Sequence, residues 1–375
     1  MNVPLRSSLL SQQRFARAAW SRVAEPGDQV ATQLIRLHGP AAPLSLAASG
    51  AEQCGQRFLP RLEVLDVERD LEVGAKFGAR IVCPGDPEWP PGLDDLSAPP
   101  YCLWVRGPID VASSCQRSAA VVGARSATAY GEIQGTEMAA GLGGRRFTII
   151  SGAAFGIDAA AHRGALATGA TTIAVLAGGV ERPYPSSHAA LIARIVEVGA
   201  VISEVAPGSA PTKTRFLQRN RMIATMSRGT VVVEAGLRSG SLNTARTAAE
   251  HGRVVAAVPG PVTSMMSAGC HEAIRSGMAL LVTDAAEAAE AIGDYGSDLA
   301  PARRGPTLAG DELDGPATRL LSALPIRKGV PVNRLAVSSG LSVLEVRSLL
   351  GRLELSGLAE RHGEGWRRAS AALRS

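Results

Sequence analysis

The chain of 375 residues predicts an α/β protein: an extended Rossmann-like core with a largely parallel sheet, preceded by a small helical domain and followed by a winged-helix domain. Three observations predict it. Short apolar runs alternate with helical stretches from Ala119 to Val258, the pattern of parallel strands joined by right-handed crossovers. The runs are apolar throughout, as in Val231-Val232-Val233, which fits strands covered on both faces. The C-terminal residues read helix, helix, turn, helix, then a hairpin.

Residues 1–75 read as short helices, with Val30, Leu34, Ile35 and Leu37 at helical spacing and Gly39-Pro40 as a stop. The core spans 76–293. Its entry, 84–100, carries Pro84, Pro87, Pro90, Pro91, Pro99 and Pro100 and reads as extended connector, because proline fixes φ and lacks a donor. Strands are expected at 119–122, 148–150, 172–176, 201–202, 230–233 and 254–258. Helices are expected up to about Leu142 and over 158–167, 189–197 and 243–251. Residues 294–315 are polar with Gly and Pro, a linker. Within 316–375, helices fall at 317–324, 332–337 and 342–355, with Ser338-Ser339-Gly340 as the turn.

Composition is that of an ordinary globular chain, 46% hydrophobic and 19% charged, and the net +5 decides nothing alone. Placement decides more. Lys213, Arg215, Arg219, Arg221, Arg228, Arg238, Arg246 and Arg253 face only Glu234 and Glu250 in the same stretch. A polyanion partner explains this better than a solvated basic face. The five cysteines (Cys54, Cys83, Cys102, Cys115, Cys270) are odd in number and show no ligand spacing, so neither disulfide framework nor metal is expected, and a reducing, cytoplasmic setting fits. No apolar run approaches the ~18 residues of a membrane span. Arg6, Arg14, Arg17 and Arg22 without an acid fit a basic N-terminal helix more simply than an organelle transit segment.

In an open parallel sheet, ligands bind beyond the carboxyl ends of the strands. The loops there are alike: Gly123, Arg125 and Ser126 after the first strand; Ser151, Gly152, Gly156 and Asp158 after the second; Gly236 to Ser241, with Arg238, Ser239 and Gly240, after the Val231 strand. A further loop, Lys213-Thr-Arg215-Phe216-Leu-Gln-Arg219-Asn220-Arg221, precedes that strand. Backbone N–H groups at helix starts seat phosphates, and arginine adds bidentate contacts. Glycine-rich turns also occur for steric reasons alone, so the convergence of several basic loops carries the reading. No GxGxxG or GxxxxGK[ST] follows a strand, so neither a dinucleotide cofactor nor ATP hydrolysis is expected. Asp158 and His162 share a helix face and suggest acid–base work, but Asp158 as a local cap is the simpler reading. Phe216 is either core or a base-stacking ring.

The ordered segments resemble the DNA-processing protein A (DprA/Smf) family over roughly 80–285. They are Asp86-Pro-Glu-Trp-Pro-Pro91, Pro99-Pro-Tyr-Cys-Leu-Trp-Val-Arg-Gly107, Val121-Val-Gly-Ala-Arg125 with Tyr130-Gly131, Ser151-Gly152 and Gly156-Ile-Asp-Ala-Ala-Ala-His162. Phe216 with Arg219-Asn-Arg221, Val233-Glu-Ala-Gly236, Arg238-Ser-Gly-Ser-Leu242 and Val258-Pro-Gly260 complete the set. The resemblance implies a homodimer that binds single-stranded DNA, protects the strand in bacteria taking up DNA, and helps load the RecA recombinase. It implies that Arg125, Lys213 and Phe216 contact the strand, with Arg219-Asn220-Arg221 and Arg238–Ser241 completing the pocket. One departure stands out: Phe155 occupies a position where some members carry lysine, which puts one phosphate contact in doubt or moves it to Lys213 or Arg215. The expected protein is a non-catalytic binder. The competing readings are a Rossmann-like nucleotide or phosphoribosyl hydrolase using Asp158 or Glu234, and a transcription regulator acting through the C-terminal domain.

Overall fold

The apolar runs between Ser118 and Ala257 pair into a single sheet in the computed structural model, which describes residues 3–49, 56–302 and 313–369. The chain divides into two units, Met1–Ala300 and Pro301–Ser375. The first opens with α1 (Val3–Val23), α2 (Gln29–His38), α3 (Ala42–Ser49), α4 (Leu59–Leu62) and α5 (Val67–Lys76). There follow β1 (Ala79–Val82), β2 (Leu103–Arg106), α6 (Val111–Gln116), β3 (Ser118–Val122), α7 (Ala129–Gly144), β4 (Thr148–Ser151), α8 (Ile157–Ala167) and β5 (Thr172–Val175). It closes with α9 (Ala189–Val198), β6 (Ala200–Ser203), α10 (Lys213–Met226), β7 (Gly229–Val232), α11 (Ser241–Glu250), β8 (Val254–Ala257), α12 (Ala268–Arg275), β9 (Leu280–Leu281) and α13 (Ala285–Ile292).

The strand order is β1-β2-β6-β5-β4-β3-β7-β8-β9. Neighbours from β6 through β9 are parallel, whereas β2 pairs antiparallel with both β1 and β6. Successive residues of a strand face opposite sides. Ala120, Val122, Val232 and Ala257 therefore enter one core, and Ala119, Val121, Val231 and Ala256 the other. From β3 the chain winds through β4 and β5 to β6; from β7 it winds the other way to β8. Winding reverses between the adjacent β3 and β7, and a crevice opens beyond their carboxyl ends.

The helices of residues 1–75 enclose an apolar cluster around Trp20, Leu34 and Phe58, and α1 also packs on the sheet. Ala18 and Ala19 of α1 share a core with Cys102, Trp104, Ile192 and Val201, and Trp104 donates its indole N–H to Ser21 Oγ at 3.1 Å. The antiparallel extension β1-β2 presents an apolar face that α1 covers. One expectation needs correction: 84–100 is not extended throughout, since Pro91–Asp95 forms a 3-10 turn. Pro91 takes the first position of that turn, where its missing N–H has no partner to lose, and Pro90 before it stays extended. The strands β1, β2 and the two-residue β9 add to those expected.

The second unit is a winged helix: α14 (Gly315–Ala323), α15 (Val332–Ser339), α16 (Val343–Leu355) and a hairpin of β10 (Ala359–His362) and β11 (Gly365–Arg368). Gly340 ends α15 at φ 66°, a left-handed position suited to glycine, and Ser342 with Glu345 forms a capping box that starts α16. Leu320, Leu335, Val346, Leu350 and Leu353 fill its core. Within the expected linker, residues 303–312 lie outside the described residues. No described helix is long and apolar enough to cross a membrane.

Candidate nucleic-acid interface

Backbone bonds weld the two strand ends that flank the crevice. Ala124, after β3, donates its N–H to the Glu234 carbonyl, after β7, at 2.7 Å. The buried Glu234 carboxylate then accepts from Thr128 N at 2.8 Å and Thr128 Oγ1 at 2.7 Å. This fixes the turn that carries Arg125. Gly123 permits the approach, because a Cβ there would sit 2.8 Å from the Glu234 carbonyl and against Ile157. Glu234 thus holds this turn in place.

The segment expected as the loop 213–221 is the first part of helix α10. Thr212 caps it by accepting from Arg215 N at 3.2 Å. Helical phase then sorts its residues. Lys213, Phe216, Leu217, Asn220 and Ile223, spaced three and four apart, line the crevice. Arg215 points elsewhere and pairs with Glu25 at 2.9 Å. Arg221 is also withdrawn, paired with the buried Glu204 and donating to the Ala98 carbonyl at 2.8 Å.

Arg219 borders the crevice but is only 4% exposed. Its guanidinium donates to the carbonyls of Gly152, at 2.7 Å, and Val175, tying β4 and β5 to α10. A side chain at position 152 would collide with it. Burial lowers the Arg219 pKa to about 10, while the charge of Asp158 works the other way. Ser151, fully buried, donates its hydroxyl to the Val121 carbonyl at 2.7 Å. Ser151, Gly152, Arg215 and Arg221 are therefore absent from the crevice lining.

What remains is a crevice of about 780 Å³ lined by Gly123, Arg125, Lys213, Phe216, Asn220, Arg238, Ser239, Gly240 and Ser241 among others. Arg125, Lys213 and Arg238 are solvent-exposed and form no ion pair among the described residues, although the charge of Arg125 works against the burial of Asp158 in the same crevice. The Arg125 guanidinium lies 4.4 Å above the Phe216 ring. Asn220 donates to the Gly240 carbonyl at 3.3 Å, joining α10 to the turn that carries Arg238. Tyr184, from the loop between β5 and α9, lines the crevice and lies 5.6 Å from the Phe216 ring. Sequence reading missed it; its place after a strand's carboxyl end, between Pro183 and Pro185, was the available signal.

Asp158 lines the crevice floor, and burial raises its pKa against the lowering effect of Arg219. Helix α8 starts at Gly156 without a side-chain cap; Asp158 instead reaches back to Ala154 N at 3.4 Å. His162 does not pair with it. Thr172 Oγ1 donates to the Ile149 carbonyl at 2.8 Å, so it accepts from His162 Nδ1 at 2.7 Å. That places the proton on Nδ1 and leaves Nε2 buried without a partner. Burial lowers the His162 pKa to about 3. Because the unfolded histidine protonates near 6.5 and the folded one does not, this group's stabilisation is present above pH 6.5 and is lost as pH falls toward 3. Denaturant titrations from pH 7 to pH 4 should show wild type losing stability relative to His162→Gln by up to about 1.4 kcal/mol per unit. A constant difference between the two would show that His162 is not held neutral.

The described cysteines, Cys83, Cys102, Cys115 and Cys270, are unpaired and buried; Cys54 lies outside the described residues. Among the described residues no His/Cys/Asp/Glu group suits a metal ion. Residues 80–293 match the family model for DNA recombination-mediator protein A, and residues 304–365 match that for the DprA winged helix domain. A relative in Mycobacterium tuberculosis that carries the DprA name is 43% identical over 365 residues, 93% of each chain. Protein Smf of Escherichia coli is 40% identical over 279 residues, 73% of each. The solved DNA processing protein A of Streptococcus pneumoniae has TM-score 0.63 at 31% identity, over 74% of this chain and 96% of that one. The Helicobacter pylori structure, described for its single-stranded DNA binding mode, has TM-score 0.50 at 26% identity, over 56% and 93%.

Proposed function

This chain belongs to the DNA recombination-mediator protein A family, the DprA/Smf proteins, and from that premise we propose that its crevice holds the sugar–phosphate backbone of single-stranded DNA. One observation carries the reading: Arg125, Lys213 and Arg238, from three separate segments, meet in one crevice where they outnumber its one acid, Asp158, and form no ion pair among the described residues. Such cations exchange condensed counterions for phosphates. The protein acts without catalysis, as a mediator that shields the strand and passes it to RecA. RecA loading, homodimerisation and a role in DNA uptake come from the family resemblance. A cytoplasmic setting agrees with unpaired, buried thiols.

Titration of single- and double-stranded oligonucleotides of increasing length against salt tests the reading. Three cations should make log K for single strands fall by about 2 per decade of salt, at roughly 0.7 each. Tighter binding of duplex, or a salt-independent affinity, would overturn it. Release of free base from nucleoside monophosphates would favour the hydrolase. Against that stand the engaged Glu234 and the neutral His162.

A further inference from the structure

We propose that Tyr184 and Phe155 form a base-stacking lip on this crevice, and that the lip is what separates an unpaired strand from a duplex. The inference rests on the single-strand reading above. Aromatic residues make up only 4% of the chain, yet two of them stand half-exposed here: Tyr184 at 49% and Phe155 at 51%. Tyr184 lines the crevice, and Phe155 directly follows Ala154, which also lines it.

Both rings are backed by fixed neighbours. Phe155 rests edge-on against the buried His188, centroids 4.8 Å apart and planes at 67°. His188 is itself anchored, its Nδ1 lying 3.0 Å from the Ala153 carbonyl. Tyr184 leans on Phe216 at 51°. Phe216 is only partly exposed and carries Arg125 over its ring. The more open rings are therefore those of Tyr184, in the lining, and of Phe155, one residue beyond it, and Phe216 serves as the backing of Tyr184.

The occupant follows from the chemistry beside it. Three cations that form no ion pair among the described residues order a polyanionic backbone, and the bases of that strand are the flat groups it brings to the lip. An unpaired base offers a free π-face, whereas a base inside a duplex is already stacked on both sides. Stacking is indifferent to sequence and to salt, so the lip adds affinity that the cations do not.

The test uses the full chain and fluorescence anisotropy over a salt series, with intact and abasic single strands of equal length. Tyr184→Ala and Phe155→Ala should each weaken binding to the intact strand about fivefold or more at every salt concentration, leaving the salt slope unchanged. Tyr184→Phe should retain wild-type affinity. Phe155→Lys should steepen the slope by about 0.7, because it exchanges a ring for a phosphate contact. Wild type should lose affinity for the abasic strand, and the double alanine variant should bind both strands alike. Alanine variants that discriminate intact from abasic strands as wild type does would overturn the lip. If Arg125→Ala still flattens the slope in that case, the crevice reading survives without the lip. If Arg125→Ala leaves the slope untouched, the crevice reading falls and the lip with it.

Discussion

Replacing Arg219 with methionine should remove about 3 to 5 kcal/mol of folding free energy, the range seen when one partner of a buried charged pair is deleted. The guanidinium is buried and spans three elements. It donates to the carbonyls of Gly152 and Val175 and, through Nε, to Asn220 Oδ1 at 3.1 Å. Without it, two buried carbonyls lose a donor, at a cost of about 1 to 3 kcal/mol each. Asp158 also loses the largest charge that opposes its burial. Arg219→Lys should recover little, since one ammonium cannot reproduce a planar fork that serves separate acceptors. Urea unfolding followed by near-UV circular dichroism reads the difference. A loss below about 1 kcal/mol would mean that the guanidinium is not what ties β4 and β5 to α10.

Arg219 also shows where the sequence can and cannot be read. Strands β3 to β8 are legible because their apolar runs are continuous and a helix follows most of them. The loops after β3 and β7 are legible because glycine and arginine recur there. The stretch 213–221 reads as a uniformly basic loop because charge alone carries no helical phase. Once α10 is in place, Lys213, Phe216 and Asn220 fall on the crevice face. Arg215 and Arg221 fall on faces occupied by Glu25 and Glu204. Those acids lie 190 and 17 residues away in sequence, so their pairing is a tertiary outcome. The same holds for α1, whose docking on Trp104 no local pattern announces. Tyr184 escapes notice for a different reason: a lone tyrosine between prolines reads as a turn until the fold brings its loop against Phe216 of α10.

The second large effect concerns binding and should leave the fold nearly untouched. A triple variant with Arg125, Lys213 and Arg238 replaced by alanine should lose about 2 units of the salt slope and bind single strands about 100-fold more weakly at 0.1 M salt. The figure follows from counterion release: each neutralised phosphate contributes roughly 0.7 log units per decade of salt, and 0.1 M lies one decade below the 1 M reference. None of the three forms an ion pair among the described residues; the buried Asp158 loses the lesser of its two compensating charges, that of Arg125, and keeps that of Arg219. Within the protein, the substitutions remove the stacking of the Arg125 guanidinium on the Phe216 ring, worth about 0.5 to 1 kcal/mol at an exposed site. Thermal unfolding should therefore change by only a few degrees, while Arg219→Met unfolds early, which separates a missing phosphate contact from a damaged scaffold. The single substitutions should divide the slope loss about equally, because the three cations come from different segments and none shares a partner with another. A triple variant that keeps the wild-type slope would show that phosphates are neutralised elsewhere on the chain, whatever its affinity.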